Sequence, residues 1–166
     1  MRRLLFRLSV VLFAGAAVAT FAAENGFDVS KIIDKAAAES ILEGPVKAPE
    51  PRNVQGTDGY YSKCNYYSTN AKKRLVLRVY QAAAGYDAQK ELDAVTENGG
   101  AMRAISGLGD KARVSSGAQS GLPSQVVILY VVKGNALITV GIGGFDDDNV
   151  ATDKIKGVAQ KIVAQL

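Results

Sequence analysis

The chain has 166 residues, of which 48% are hydrophobic and 22% charged, and a formal net charge of +4. This is globular composition at the length of one domain. It has no histidine, no tryptophan and one cysteine, which excludes histidine-based acid–base catalysis, histidine-containing triads, the usual zinc sites and a disulfide within the chain.

Arg2, Arg3 and Arg7 are followed by 16 uncharged residues, Leu8 to Ala23. A membrane-spanning helix needs about 20 apolar residues, so this run reads as the core of a secretory signal peptide. Cleavage after Ala19 or after Ala22 meets the small-residue requirement. Cutting after Ala22 divides the chain into a signal peptide, 1–22, and one globular domain, 23–166. The expected product is periplasmic or secreted, with no stable membrane span after cleavage; the alternative is an uncleaved anchor. No cysteine follows the apolar run, so the lipoprotein pattern is missing. Removing the segment leaves 17 basic against 16 acidic residues. A nucleic-acid reader concentrates basic charge on one face, so no nucleic-acid partner is expected.

Asp28 to Glu43 predicts two short helical pieces, capped by Asp28 and Asp34 and stopped by Gly44-Pro45. Pro49 and Pro51 mark the next stretch, 46–59, as an extended connection or an edge strand. Tyr60 to Ser68 is aromatic and β-like, with a turn at 69–72. Arg74 to Tyr80 alternates, so Leu75, Leu77 and Val79 share one face while Arg74, Val76, Arg78 and Tyr80 share the other. Asp87 to Asn98 reads as a helix with Leu92 and Val95 on one side, ended by Gly99-Gly100.

Weaker strands, Met102–Ser106 and Lys111–Ser115, flank a Gly-rich turn, and 116–124 reads as a loop. Gln125 to Lys133 is apolar on both faces, so cover is expected on both. Gly134-Asn135 is a hairpin turn and Ala136 to Ile142 returns. Asn149 to Leu166 is an amphipathic helix, capped by Asp148 or Asn149, with Ile155, Val158, Ile162 and Leu166 at helical spacing. The expected fold is α+β: an antiparallel sheet sandwiched by helices on both faces. The alternative is a sheet covered on one face only.

The order of DVSKIIDKAAAESILEGPV, the C-N-Y-Y strand, RLVLRVY, ISGLGDKA and VVILYVVKGNALITVGIG resembles small secreted bacterial proteins of unknown function that are similar to the PsbP-like α/β/α sandwich. The resemblance implies that fold and an accessory or binding role in the envelope, with no catalytic residues to carry over. In such relatives a cysteine of the early helix often partners the strand cysteine. Ser30 stands at that position here, leaving Cys64 as a candidate free thiol.

Gly107-Leu108-Gly109-Asp110-Lys111-Ala112 matches G-x-G-x-x-A, but no helix follows and Leu129 stands where a dinucleotide site needs an acid. Asp146, Asp147 and Asp148 depart from a calcium loop after three residues, because Val150 and Ala151 occupy the next defining positions. No cofactor and no metal is therefore expected. No G-x-S-x-G elbow is present, and the reading is of a non-catalytic protein. The candidate interaction surface is Tyr61 and Tyr67 with the basic turn Lys72, Lys73 and Arg74, since tyrosine joins a rigid apolar body to a polar tip. It fits an envelope protein partner. The alternative is a small-ligand carrier with a pocket between sheet and helix.

Overall fold

The computed structural model describes residues 26–69, 72–98, 101–117 and 125–166. The signal segment, the two central turn residues at 70–71, the glycine pair at 99–100 and most of the loop at 116–124 therefore lie outside the described residues.

Asp28 and Asp34 cap as expected. The Asp28 carboxylate accepts from the Ser30 N–H and opens α1 (Val29–Ile32); Asp34 accepts from Ala37 N–H and opens α2 (Lys35–Leu42). The strands are β1 (Arg52–Gln55), β2 (Gly59–Tyr67), β3 (Arg74–Ala82), β4 (Arg103–Ile105), β5 (Lys111–Ser116), β6 (Val126–Lys133) and β7 (Ala136–Gly143). Two longer helices are α3 (Ala88–Asn98) and α4 (Asp148–Val163).

The described strands form one open antiparallel sheet in the order β1-β2-β3-β7-β6-β5-β4. The β6–β7 hairpin closes at Gly134-Asn135 and delivers β7 beside β3. Among the described residues no helix is long and apolar enough to cross a membrane.

Side chains alternate across a pleated sheet. Cys64 and Tyr66 of β2, Leu75, Leu77 and Val79 of β3, and Leu129, Ile138 and Val140 of the later hairpin all fall on one pleat. They are buried against Val29 and Ile33 and against Ile155, Val158 and Ile162 of α4. Tyr66 reaches through this core, its hydroxyl donating to the Ile33 carbonyl.

A second, smaller cluster uses the intervening residues. Tyr80, Val132 and Leu137 pack with Ala88 and Leu92 of α3, and Tyr130 packs at its margin. The cover on this pleat stops there. Val132 is buried, while Val126, Ile128 and Tyr130 of the same strand are only half-buried. The expectation of cover along both faces of β6 is met at one end alone, where α3 packs over Val132.

Two helix ends differ from expectation. The last helix is capped one residue early: Asp147, in extended conformation, accepts from the Asn149 and Val150 N–H groups. Asp148 lies in the first turn, where its charge favours the helix dipole. At the end of α2 the left-handed position is taken by Glu43, with φ 59°, and not by Gly44. A non-glycine residue there costs about 1 kcal/mol.

Two lysines hold Glu43 in place. Lys73 Nζ is 2.7 Å and Lys154 Nζ 2.9 Å from its carboxylate oxygens. Both ammonium groups also stand over the Phe145 ring, at 4.3 and 5.3 Å from its centre. This knot ties α2, the β2–β3 hairpin and α4 together. The hydrogen bonds from Lys73 and then Lys154 hold the Glu43 carboxyl down from 4.5 to about 2.

A carboxyl whose folded pKa is depressed stabilises the fold above its unfolded value and loses that contribution as pH falls through the folded one. The loss should therefore run from about pH 4.5 down to about 2. Glu43→Gln is expected to flatten this acid limb in urea titrations across the window and to lower the thermal midpoint at pH 7. An unchanged acid limb would remove the knot from the fold's stabilising contacts.

Cys64 is fully buried in the main core, and burial pushes its thiol pKa up. Both effects deny a reagent the thiolate. The native protein is expected to react slowly with an aromatic disulfide reagent and rapidly once unfolded. Equal rates in the two states would place Cys64 outside the core.

Candidate functional site: the open pleat of the sheet

The open pleat is built from the residues that alternate with the main core. Register sorts them into rows. Tyr61 of β2 lies opposite Val54 of β1 and Tyr80 of β3. In the next row Lys63 lies opposite Arg52 on one side and Arg78 on the other. That row continues through Thr139, Tyr130 and Arg113. Beyond it Asn65 pairs with Val76, and Tyr67 with Arg74.

Arg52, Lys63 and Arg78 thus form a line of like-charged residues on adjacent strands, whose backbones are spaced about 5 Å apart. Like charges directly opposite each other in a sheet are destabilising. Ion pairs among the described residues fall on Lys35, Lys73, Lys111, Lys133, Lys154 and Lys156. None falls on Arg52, Lys63, Arg74 or Arg78. Two polar atoms of this pleat, Asn65 Oδ1 and Arg113 Nε, are buried without a hydrogen-bond partner.

Tyrosines flank the line. Tyr61 and Tyr80 stack with ring centres 4.8 Å apart. The Tyr61 hydroxyl donates to the Asp58 carboxylate, which raises its pKa. Tyr80 donates to the Asp58 carbonyl at 2.9 Å, and burial raises its pKa. Burial does the same for Tyr130. All three stay neutral near pH 7.

Two shallow grooves join along the charged row. One of about 430 Å³ runs over Tyr61, Tyr80 and Leu137. The other, about 520 Å³, lies beside Val95 of α3, over Val76, Ile128 and Gly141. Arg78 and Thr139 border both. The floor is low at Gly141, which contributes no side chain.

The residues singled out from the sequence divide between the two sides of the sheet. Tyr61 and Tyr67 are 40% and 47% exposed and lie on this pleat together with Arg74. Lys73 is turned away into the Glu43 knot. Lys72 is exposed in the turn. Cys64 is in the opposite core, remote from the groove. Arg52, Lys63 and Arg78 were not singled out. The signal was present for two of them: a turn over 69–72 fixes Ser68 against Lys73, as the Ser68 N–H to Lys73 carbonyl bond of 3.0 Å shows, and counting back places Lys63 opposite Arg78.

Among the described residues no group of three or more histidine, cysteine or carboxylate side chains is arranged to hold a metal ion. In the acidic run, Asp147 is engaged in capping and Asp146 accepts from Gln125 Nε2 at 2.6 Å. Compared with models of protein families, with curated proteins and with solved structures, the chain matches none.

If the charged row repels itself, reversing its middle member should stabilise the fold. Lys63→Glu replaces two like pairs by two opposite pairs, each worth about 0.2–1 kcal/mol. Urea unfolding is expected to show a gain of about 1 kcal/mol over Lys63→Ala. A Lys63→Glu protein less stable than Lys63→Ala would show that the row carries no strain.

Proposed function

We propose that this protein is an exported, non-catalytic accessory module of the cell envelope that binds another protein through the open pleat of its sheet. The carrying observation is the Arg52–Lys63–Arg78 line, in which like charges stand opposite each other across the sheet and which has no ion pair among the described residues. Proteins keep such local costs where function draws on them. Tyrosine and arginine are also the residue types on which binding energy concentrates, and both are gathered here.

Export rests on the three arginines and the 16 uncharged residues that follow. The domain is proposed as 23–166 after removal of 1–22, in the periplasm or outside the cell. The proposed architecture is the α/β/α sandwich of PsbP-like proteins. It is supported by α1, α2 and α4 on one pleat and by α3 in the smaller cluster on the other. The non-catalytic reading is supported by the raised pKa values of Tyr61, Tyr80 and Cys64, which keep these groups protonated and poorly nucleophilic. A second reading, a small-ligand carrier, draws on the 520 Å³ groove beside α3, a size common among ligand sites.

Site-specific photo-cross-linking in intact cells tests the first reading. A photoreactive residue at Tyr67, on the open pleat, is expected to give one defined protein adduct that is lost when Arg52 and Arg78 are both changed to Glu. The same residue at Val150, exposed on α4, is expected to give none. Identical adducts from both positions, or no adduct from Tyr67, would overturn the proposal.

A further inference from the structure

The protein already covers part of its open pleat with a helix of particular chemistry. Within α3, Ala88 and Leu92 press on Tyr80, Val132 and Leu137. The same helix carries Glu91, Asp93 and Glu97 against one lysine, Lys90. Asp93 reaches down to Lys111 of β5, with Nζ 2.7 Å from its carboxylate. An acidic, amphipathic helix is thus the cover that this surface accepts where it is covered at all.

The uncovered part has room for a second helix of the same kind. The strands run β2-β3-β7-β6, and α3 packs on β6 and β7 and reaches β3 at Tyr80. A helix centred over β2 would lie two strand spacings from β7, about 10 Å. That matches the 8–10 Å at which neighbouring helices pack. Four rows of the pleat, from Tyr61 to Tyr67, span about 20 Å along the strand, the length of about 14 helical residues. Apolar contact is offered by the exposed Tyr61 and by Val76, and charge by Lys63, Arg78 and Arg74.

A compact phosphate fits this face less well. The backbone N–H groups of β2, β3 and β7 are held in the ladders, so no backbone cradle points outward. The cations are also spread: Arg74 and Arg78 stand four residues apart on one strand, about 13 Å. Several carboxylates carried on a rigid rod meet that spacing.

We infer that the open pleat receives an acidic amphipathic helix of a protein partner, laid beside α3 over β2 and β3. This rests on the binding reading above and names its ligand. The helix supplies an apolar stripe to Tyr61 and Val76 and carboxylates to Arg74, Arg78 and Lys63, completing the cover that α3 begins.

The test uses the purified protein and two fluorescent 16-residue peptides of one composition, rich in Glu, Leu and Ala. One places Leu at i, i+3, i+4 and i+7 with Glu beside the stripe; the other scrambles the order. Anisotropy is expected to show the patterned peptide binding at least 10-fold tighter than the scramble, and circular dichroism to show it gaining helix on binding. Lys63→Glu with Arg78→Glu is expected to weaken binding at least 10-fold while keeping a thermal midpoint no lower than the parent. Equal binding of both peptides would overturn the helix and leave a cationic binding face. Binding to phosphatidylglycerol vesicles with neither peptide bound would overturn it in favour of a lipid surface. No binding to peptides or vesicles overturns the inference; whether the wider reading falls with it is decided by the adduct at Tyr67.

Discussion

Register is the constraint from which the rest of this molecule follows. In a pleated sheet each residue belongs to one of two faces, and a slip of one residue exchanges the faces entirely. Here the register of β2, β3, β7 and β6 gathers Cys64, Tyr66, Leu77, Leu129 and Val140 on one pleat and closes a core against α1 and α4. The same count commits Lys63, Arg78 and Arg52 to a single row on the other. The main core stabilises strongly, since each fully buried aliphatic side chain contributes about 1.5–3 kcal/mol. The repulsion of a few surface cations is small beside that. A fold so anchored tolerates a row of like charges on its second face.

The two faces differ in how they are finished. One carries three helices and a network of specific ends: the caps of Asp28, Asp34 and Asp147 and the Glu43 knot that joins α2 to α4 through Lys73 and Lys154. The other carries a single helix docked at one end. The difference lies in apolar supply. On the first pleat nearly every position of the central strands is aliphatic or aromatic. On the second, Lys63, Arg74, Arg78, Thr139 and Gly141 interrupt the apolar positions. A helix of this chain with a conventional apolar stripe would strand those cations beneath it.

Local chemistry was legible in the sequence. Asp28 and Asp34 announce helix starts because a short carboxylate satisfies free N–H groups two or three residues on. Gly134-Asn135 announces a hairpin because both residues tolerate unusual backbone angles. The alternation of Leu75, Leu77 and Val79 assigned a core face correctly. What stayed hidden depends on partners distant in the chain. Nothing local to β3 says that its second neighbour is β7, some 60 residues on, or that β1 places Arg52 beside Lys63. Gly44 looked like the natural left-handed terminator of α2, yet Glu43 takes that conformation because two lysines from other elements hold its side chain. The basic turn looked like a patch of three cations, but Lys73 faces Phe145 and Glu43 while Arg74 faces the groove, because adjacent residues entering a strand point opposite ways.

The low floor at Gly141 has a consequence for how such a surface can change. A methyl group built there would meet nothing nearer than the Val76 Cβ at 3.7 Å and an Ile128 carbon at 3.8 Å, and the backbone does not need glycine's freedom at this position. The low floor at this point is therefore set by one missing side chain, at a position where the backbone does not require glycine. A single substitution raises that floor while the core on the far side of the same strand stays unaltered.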